Sequence, residues 1–206
     1  VTAPFDIDGF RYCPGFLAPE AQAALLREVE AVVAAAPLRH LAMPKSGALM
    51  SVATTNAGPL GWHSDKADGY RYEPRQPDTD RPWPSIPALM LEAWKALADY
   101  PAPPEACLIN YYGPEARMGL HRDFDEKDLR APVVSLSLGD TALFRLGGPT
   151  RKGPTRTLKL HSGDAVVLGG AARLFFHGVD RIYGGSARVL PQGGRYNLTL
   201  RRVTPL

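Results

Sequence analysis

Arg195-Tyr196-Asn197-Leu198-Thr199-Leu200-Arg201, close to the end of the 206-residue chain, alternates without a break. In an extended strand neighbouring side chains point to opposite faces, so Tyr196, Leu198 and Leu200 face one way and Arg195, Asn197, Thr199 and Arg201 the other. One face is apolar and the other is built for anions. Six steps of strand span roughly 20 Å. Two Arg side chains leaning toward each other, each reaching roughly 6 Å, leave a gap about the length of a small dicarboxylate, with a guanidinium fork at either end. The competing reading of such alternation is an edge strand with a solvated polar face.

Upstream of this strand the same signal recurs. Residues 107–112, 132–138, 141–146, 155–160, 164–168 and 174–177 read as short strands punctuated by Gly-Gly pairs, a spacing that indicates a sandwich or barrel. Gly and Pro contribute 20 residues each, well above average usage, which favours turns over long helices. Before residue 106 two helices are predicted. Residues 19–36 carry Leu25, Leu26, Val29, Val32 and Val33 at helical spacing after a Pro in the first turn, and residues 87–100 carry Leu89, Met90, Ala93, Trp94 and Leu97 on one side. Residues 44–84 between them are rich in Pro and Gly, with Trp62, Tyr70, Tyr72 and Trp83 interspersed, and read as a lid. No linker is long enough to separate two domains. The fold class is therefore mainly β with flanking helices (α+β), one domain over residues 1–206.

Two Cys, Cys13 and Cys107, exclude a disulfide framework and any cysteine-based metal site, so a metal must be held by carboxylates and by some of five His: His40, His63, His121, His161 and His177. His121 and Asp123 are one residue apart and project to the same side of an extended segment. His177 follows the apolar run Leu174-Phe175-Phe176, which places a polar ring at the end of a buried strand, where it needs a partner. Two His and one carboxylate make the facial triad of non-haem Fe(II); a zinc hydrolase site and uncoordinated core histidines stand beside it as readings of the same residues.

Lys and Arg exceed Asp and Glu by three, a modest charge that excludes a domain holding nucleic acid by charge alone but permits a local basic track, for which Lys45, Lys66, Arg151 and Lys152 are candidates. No stretch approaches the apolar length of a membrane span and the start lacks the features of a signal peptide, so a soluble cytoplasmic monomer with no membrane partner is expected. The chain lacks an initiator Met, which suggests that it begins inside its reading frame.

Three stretches together resemble a family: Ala106-Cys107-Leu108-Ile109-Asn110-Tyr111-Tyr112, Leu120-His121-Arg122-Asp123-Phe124-Asp125-Glu126 and the 195–201 strand are similar to the AlkB-type Fe(II)/2-oxoglutarate-dependent nucleic-acid demethylases. Leu129-Arg130-Ala131-Pro132, Ser135-Leu136-Ser137-Leu138-Gly139, Met50-Ser51-Val52, Gly61-Trp62 and Pro82-Trp83-Pro84 extend the resemblance over nearly the whole chain. It implies a double-stranded β-helix (jelly-roll) core over residues 106–202 and a nucleotide-recognition lid over 44–84, whose 62–70 segment is one residue longer than the family's. It further implies Fe(II) held by His121, Asp123 and His177, and 2-oxoglutarate held by Asn110, Tyr112, Arg195, Asn197 and Arg201, with Arg201 on the distal carboxylate and Arg195 near the end that chelates iron. Trp62 and Tyr70 would belong to the lid, with Trp62 stacking on a flipped base opposite His121, and Asp125 and Arg151 would lie near the base and its strand. The implied reaction uses O2 to demethylate 1-methyladenine or 3-methylcytosine in DNA, single-stranded or with the base flipped, or in RNA, releasing succinate, CO2 and formaldehyde. The same residues also fit an oxygenase acting on tRNA, protein or a small molecule, or a non-catalytic jelly-roll binding module.

Overall fold

The computed structural model describes residues 3–206. The chain enters through a short hairpin, β1 (Phe5–Ile7) and β2 (Phe10–Cys13), passes into helix α1 (Pro19–Ala35), and returns as β3 (Ala53–Ala57) and a second hairpin, β4 (Gly61–Asp65) and β5 (Gly69–Glu73). Helix α2 (Ala88–Leu97) then leads into β6 (Ala106–Tyr112), β7 (Met118–His121), β8 (Val133–Gly139), β9 (Thr141–Leu146), β10 (Arg156–Leu160), β11 (Ala165–Leu168), β12 (His177–Tyr183) and β13 (Arg195–Arg201).

Strand pairing is antiparallel and makes a large sheet in the order β1-β2-β11-β8-β13-β6-β3, a small sheet in the order β10-β9-β12-β7, and the separate β4-β5 hairpin. Alternation along each strand divides the interior into two cores. On the outer face of the large sheet, Ile109, Val134, Leu136, Leu138, Val167, Leu198 and Leu200 pack with Leu25, Val29 and Val32 of α1 and Met90, Trp94 and Leu97 of α2. On its inner face Tyr12, Tyr112, Val133, Val166 and Leu168 meet Phe144, Leu146, Val179 and Ile182 of the small sheet. Two sheets packed face to face with helices behind the larger one make the jelly roll, and β13 in the middle of the large sheet turns Arg195, Asn197, Thr199 and Arg201 toward the space between the sheets.

Local chemistry explains where the elements begin and end. Pro19 opens α1 because its missing N–H is not needed there, and Pro37 follows its end. The second helix stops at Leu97, three residues before the predicted boundary, because Asp99 takes a left-handed φ of 47° that no helix accommodates. The predicted strand at 174–177 is overturned. Residues Gly170–Leu174 form a 3-10 turn whose Ala172 N–H donates to the Asp8 carbonyl (2.9 Å), and His177 opens β12 rather than closing a strand before it. Ala53–Ala57, inside the segment expected to be lid, is an edge strand of the large sheet, and β1 and β2 extend that sheet's other edge. Among the described residues, no helix is long and apolar enough to cross a membrane.

Candidate metal centre and cosubstrate cavity

His121 is the last residue of β7 and His177 the first of β12, and the two are direct partners in the pairing of those strands. The ladder therefore brings the imidazoles together, with ring centroids 4.5 Å apart. The chain turns irregular after β7, and this swings Asp123 back so that one ligand atom from each of His121, Asp123 and His177 lies within 4.8 Å of the others. Each His donates from Nδ1 to a carbonyl two residues upstream, Gly119 for His121 and Phe175 for His177, at 3.0 Å in both cases. That hydrogen bond selects the tautomer whose Nε2 lone pair is free for a metal.

The electrostatics agree with a ligand set. Burial and the adjacent His121 bring His177 down to about 4, so the ring is neutral. Burial alone would raise the Asp123 carboxyl, but the charge and hydrogen bond of Arg201 lead the effects that outweigh it and hold Asp123 well below the usual carboxylate range. A deprotonated carboxylate and a neutral imidazole are the forms a divalent cation requires. With no Cys and three clustered N and O donors, the residues fit Fe(II).

Beside this cluster lies a cavity between the sheets. Asn110 and Tyr112 of β6 and Arg195, Asn197 and Arg201 of β13 all line it, joined by Ser135 and Thr199, which the sequence reading did not single out as site residues. The ladder pairs Asn197 with Asn110 and Arg195 with Tyr112, so these four sit side by side on one face. Arg195 is almost completely buried; its Nη2 donates to Ser137 Oγ (2.6 Å), while its Nε has no partner. Burial pulls its guanidinium down to about 10, which leaves it protonated. Arg201 Nη2 donates to Asp123 Oδ2 (2.8 Å) and its Nε lies 3.3 Å from Glu126 Oε1, while Nη1 has no partner. Two buried cations, each with an unsatisfied N–H, fit an anionic cosubstrate.

The polarity of this clamp is the reverse of the one expected from the sequence. Arg201 touches Asp123, so it belongs to the metal end, and Arg195, six residues along the strand, occupies the distal end. Arg201 is also already engaged by carboxylates, in a buried network that runs through Glu126 to Arg173 Nη2 (2.9 Å) and to the Tyr72 hydroxyl. Glu126, Arg173 and Tyr72 were not singled out as site residues. The only signal for Glu126 was a glutamate within the acidic run that follows His121, which reads as surface.

The β4-β5 hairpin packs beside the segment that follows Asp123, through Trp62 to Asp125 and Tyr72 to Glu126. Trp62, Ser64, Tyr70 and Tyr72 share one of its faces, since Trp62 lies opposite Tyr72 and Ser64 opposite Tyr70. Trp62 stacks on Tyr70 (centroids 5.4 Å, planes 22° apart), and its indole N–H donates to Asp125 Oδ2 (2.9 Å). Burial pushes the Asp125 carboxyl up, with the Trp62 bond working against it. Trp62, Tyr70 and Asp125 are thus brought together, and Asp125 is two residues from Asp123. Arg151 stands apart in the exposed β9-β10 loop. Of the other three His, His40 bonds to the Met50 carbonyl, His63 lies beside Asp65 and His161 meets Thr141, all away from the cluster.

Comparison with known proteins matches this geometry to a family. The 2OG-Fe(II) oxygenase superfamily matches residues 9–201. The alpha-ketoglutarate-dependent dioxygenase AlkB homolog of Caulobacter vibrioides (strain NA1000 / CB15N) is 54% identical over 197 residues, covering 96% of this chain and 89% of that one. The alpha-ketoglutarate-dependent dioxygenase AlkB of Escherichia coli (strain K12) is 44% identical over 183 residues, covering 87% and 83%. The solved structure of OsALKBH1 is similar at a TM-score of 0.80 and 27% identity, covering 96% of this chain and 98% of that one. With the family matched from β2 to the end of β13, where the metal cluster and the cavity lie, the chain belongs to the 2OG-Fe(II) oxygenase superfamily and is an AlkB-type dioxygenase dependent on Fe(II), 2-oxoglutarate and O2.

Proposed function

We propose that the protein demethylates bases alkylated on a ring nitrogen, of the 1-methyladenine and 3-methylcytosine type, in single-stranded DNA or at a flipped base, with RNA as a second substrate. The observation that carries this reading is a base-sized aromatic pair, Trp62 and Tyr70, tied through the Trp62 indole to the carboxylate of Asp125, two residues from Asp123. A base methylated at its pairing edge is cationic and pairs poorly, so extruding it costs less than extruding an intact base. Aromatic faces and a carboxylate attract such a ring through stacking and charge.

His121, Asp123 and His177 hold Fe(II). Arg195 takes the distal carboxylate of 2-oxoglutarate through its unpartnered Nε, with Tyr112 and Asn197 beside it. Arg201 and Asn110 face the end nearer the metal, where Arg201 also fixes the Asp123 carboxylate. When bound, iron, 2-oxoglutarate and O2 supply the oxidising power to hydroxylate an N-linked methyl carbon, with succinate, CO2 and, after the hydroxymethyl group collapses, formaldehyde as products. Trp62 orients the base, Tyr70 covers it, and the β4-β5 hairpin acts as the lid that excludes water. Arg151, in the exposed loop, meets the phosphates of the strand. A stack reads the face of a base and not its sugar, which is why both DNA and RNA are accepted.

The test is incubation with Fe(II), 2-oxoglutarate and single-stranded oligonucleotides bearing 1-methyladenine or 3-methylcytosine, read by mass spectrometry. The reading expects the oligonucleotide to lose the mass of one methylene group while succinate accumulates. Succinate without any change in the oligonucleotide would contradict the substrate.

A further inference from the structure

Arg122 and Phe124 alternate with His121, Asp123 and Asp125, and Phe176 immediately precedes His177. Each is therefore one residue from a group at the reaction centre, yet Arg122 and Phe124 turn to solvent, and Phe124 is 55% exposed. Phe124 thus presents an exposed ring one residue from the candidate metal ligand Asp123. The Arg122 guanidinium carbon lies 5.4 Å from the centroid of the Phe124 ring and 5.5 Å from that of Phe176, so one cation braces two rings into a pre-ordered π surface. Phe176 is itself fixed: Gly147 N–H donates to its carbonyl (2.7 Å), and its N–H donates to the Gly148 carbonyl (3.0 Å). The loop that begins there carries Arg151 and Lys152, both exposed.

An aromatic and cationic surface, with a pair of basic side chains on the adjoining loop, suits a nucleotide, with the base on the rings and the phosphate toward the loop. Extruding the target base leaves its neighbour without a stacking partner, and a surface just outside the centre can replace what was lost. We propose that Phe124, braced by Arg122 and Phe176, stacks on the base adjacent to the target nucleotide. This inference rests on the nucleic-acid reading above. The subsite tolerates any base, since every base has a π face, and it favours oligonucleotides over single methylated nucleotides.

The experiment uses single-stranded pentanucleotides with a central 1-methyladenine. In two of them one neighbouring base, on the 5′ or the 3′ side, is replaced by an abasic residue that keeps its phosphates. With the wild-type enzyme the abasic residue on one side raises KM about tenfold. Phe124→Ala raises KM on the intact oligonucleotide by about the same factor, with no further rise on the abasic one; Phe124→Leu behaves like Phe124→Ala, and Phe124→Trp restores the wild-type pattern. The inference is overturned if neither abasic residue raises the wild-type KM, or if Phe124→Ala raises KM equally on intact and abasic substrates. If the wild-type enzyme turns over 2-oxoglutarate but demethylates none of the three, the nucleic-acid reading fails and this inference falls with it.

Discussion

Asp123 serves two partners with one carboxylate. Its Oδ2 accepts from Arg201, and its Oδ1 lies 3.8 Å from His121 Nε2, on the side of the metal cluster. Asp123→Ala removes a ligand and strips a buried cation of its main counter-charge. Turnover and bound iron should be lost, and stability should fall by about 3–5 kcal/mol in a denaturant melt; a variant that keeps its iron and full activity would take Asp123 out of the centre. Arg195→Ala should raise the KM for 2-oxoglutarate while iron binding persists, because the distal carboxylate alone loses its partner. Trp62→Ala should raise the KM for a methylated oligonucleotide about 5- to 100-fold while succinate production without oligonucleotide continues. Equal loss of both activities would mean that Trp62 supports the fold and not the base. At this scale the sequence was informative about pairs close in the chain, and silent on which end of a strand meets which partner. Spacing fixes how far Arg195 lies from Arg201, but Asp123 is 78 positions from Arg201, and only the fold decides that the two touch.

Among the elements, β13 is legible because one unbroken alternation runs through it, and its partner β8 repeats the pattern. The run Leu174-Phe175-Phe176-His177 was misread for a definable reason. A short apolar stretch carries no period of its own, and the 3-10 turn that ends at its first residue, Leu174, is held by the carbonyl of Asp8 and by the buried guanidinium of Arg173, which donates to the carbonyls of Ala131 and Asp123. The β4-β5 hairpin turns through Lys66-Ala67-Asp68, which leaves Trp62 and Tyr70 on one face. At the far end of β13, the Glu105 carboxylate holds the tail that follows, accepting from Val203 N–H, Thr204 N–H and the Thr204 hydroxyl. Burial alone would raise this carboxyl, but the bonds from Thr204 and Val203 and the charge of Arg202 outweigh it, so its folded pKa lies below the unfolded one. A carboxyl lowered on folding contributes stability above its unfolded pKa, and that contribution fades as pH falls through the lowered value. Glu105→Gln should therefore cost about 1.5–3 kcal/mol at neutral pH, and its gap from wild type should narrow as the pH is taken from about 5 to about 3. A gap that does not change with pH would show that charge has no part in it.

In the whole molecule, the proposed ligand set comes from both sheets. His121 and His177 belong to the small sheet, and Arg195, Asn197, Asn110 and Tyr112 to the large one, so a bound metal with its cosubstrate ties the two together. Mn(II) and 2-oxoglutarate, each at about 100 times its dissociation constant, should together stabilise the fold by about 5.4 kcal/mol, which raises Tm by roughly 11–22 °C for a chain of this size. Either component alone should do less. A sandwich or barrel was readable from the repeated strands after residue 106, and its jelly-roll form from the family resemblance. Strand β3 was not, because Ala-Thr-Thr-Asn-Ala has no apolar alternation and is nonetheless buried along its whole length at a sheet edge beside α1.

The most direct measurement is stoichiometric: succinate and formaldehyde counted in the same reaction with a single-stranded 1-methyladenine oligonucleotide, beside its unmethylated twin. The account predicts one formaldehyde for each succinate with the methylated strand, and none with the twin. Succinate without formaldehyde from the methylated strand would contradict it.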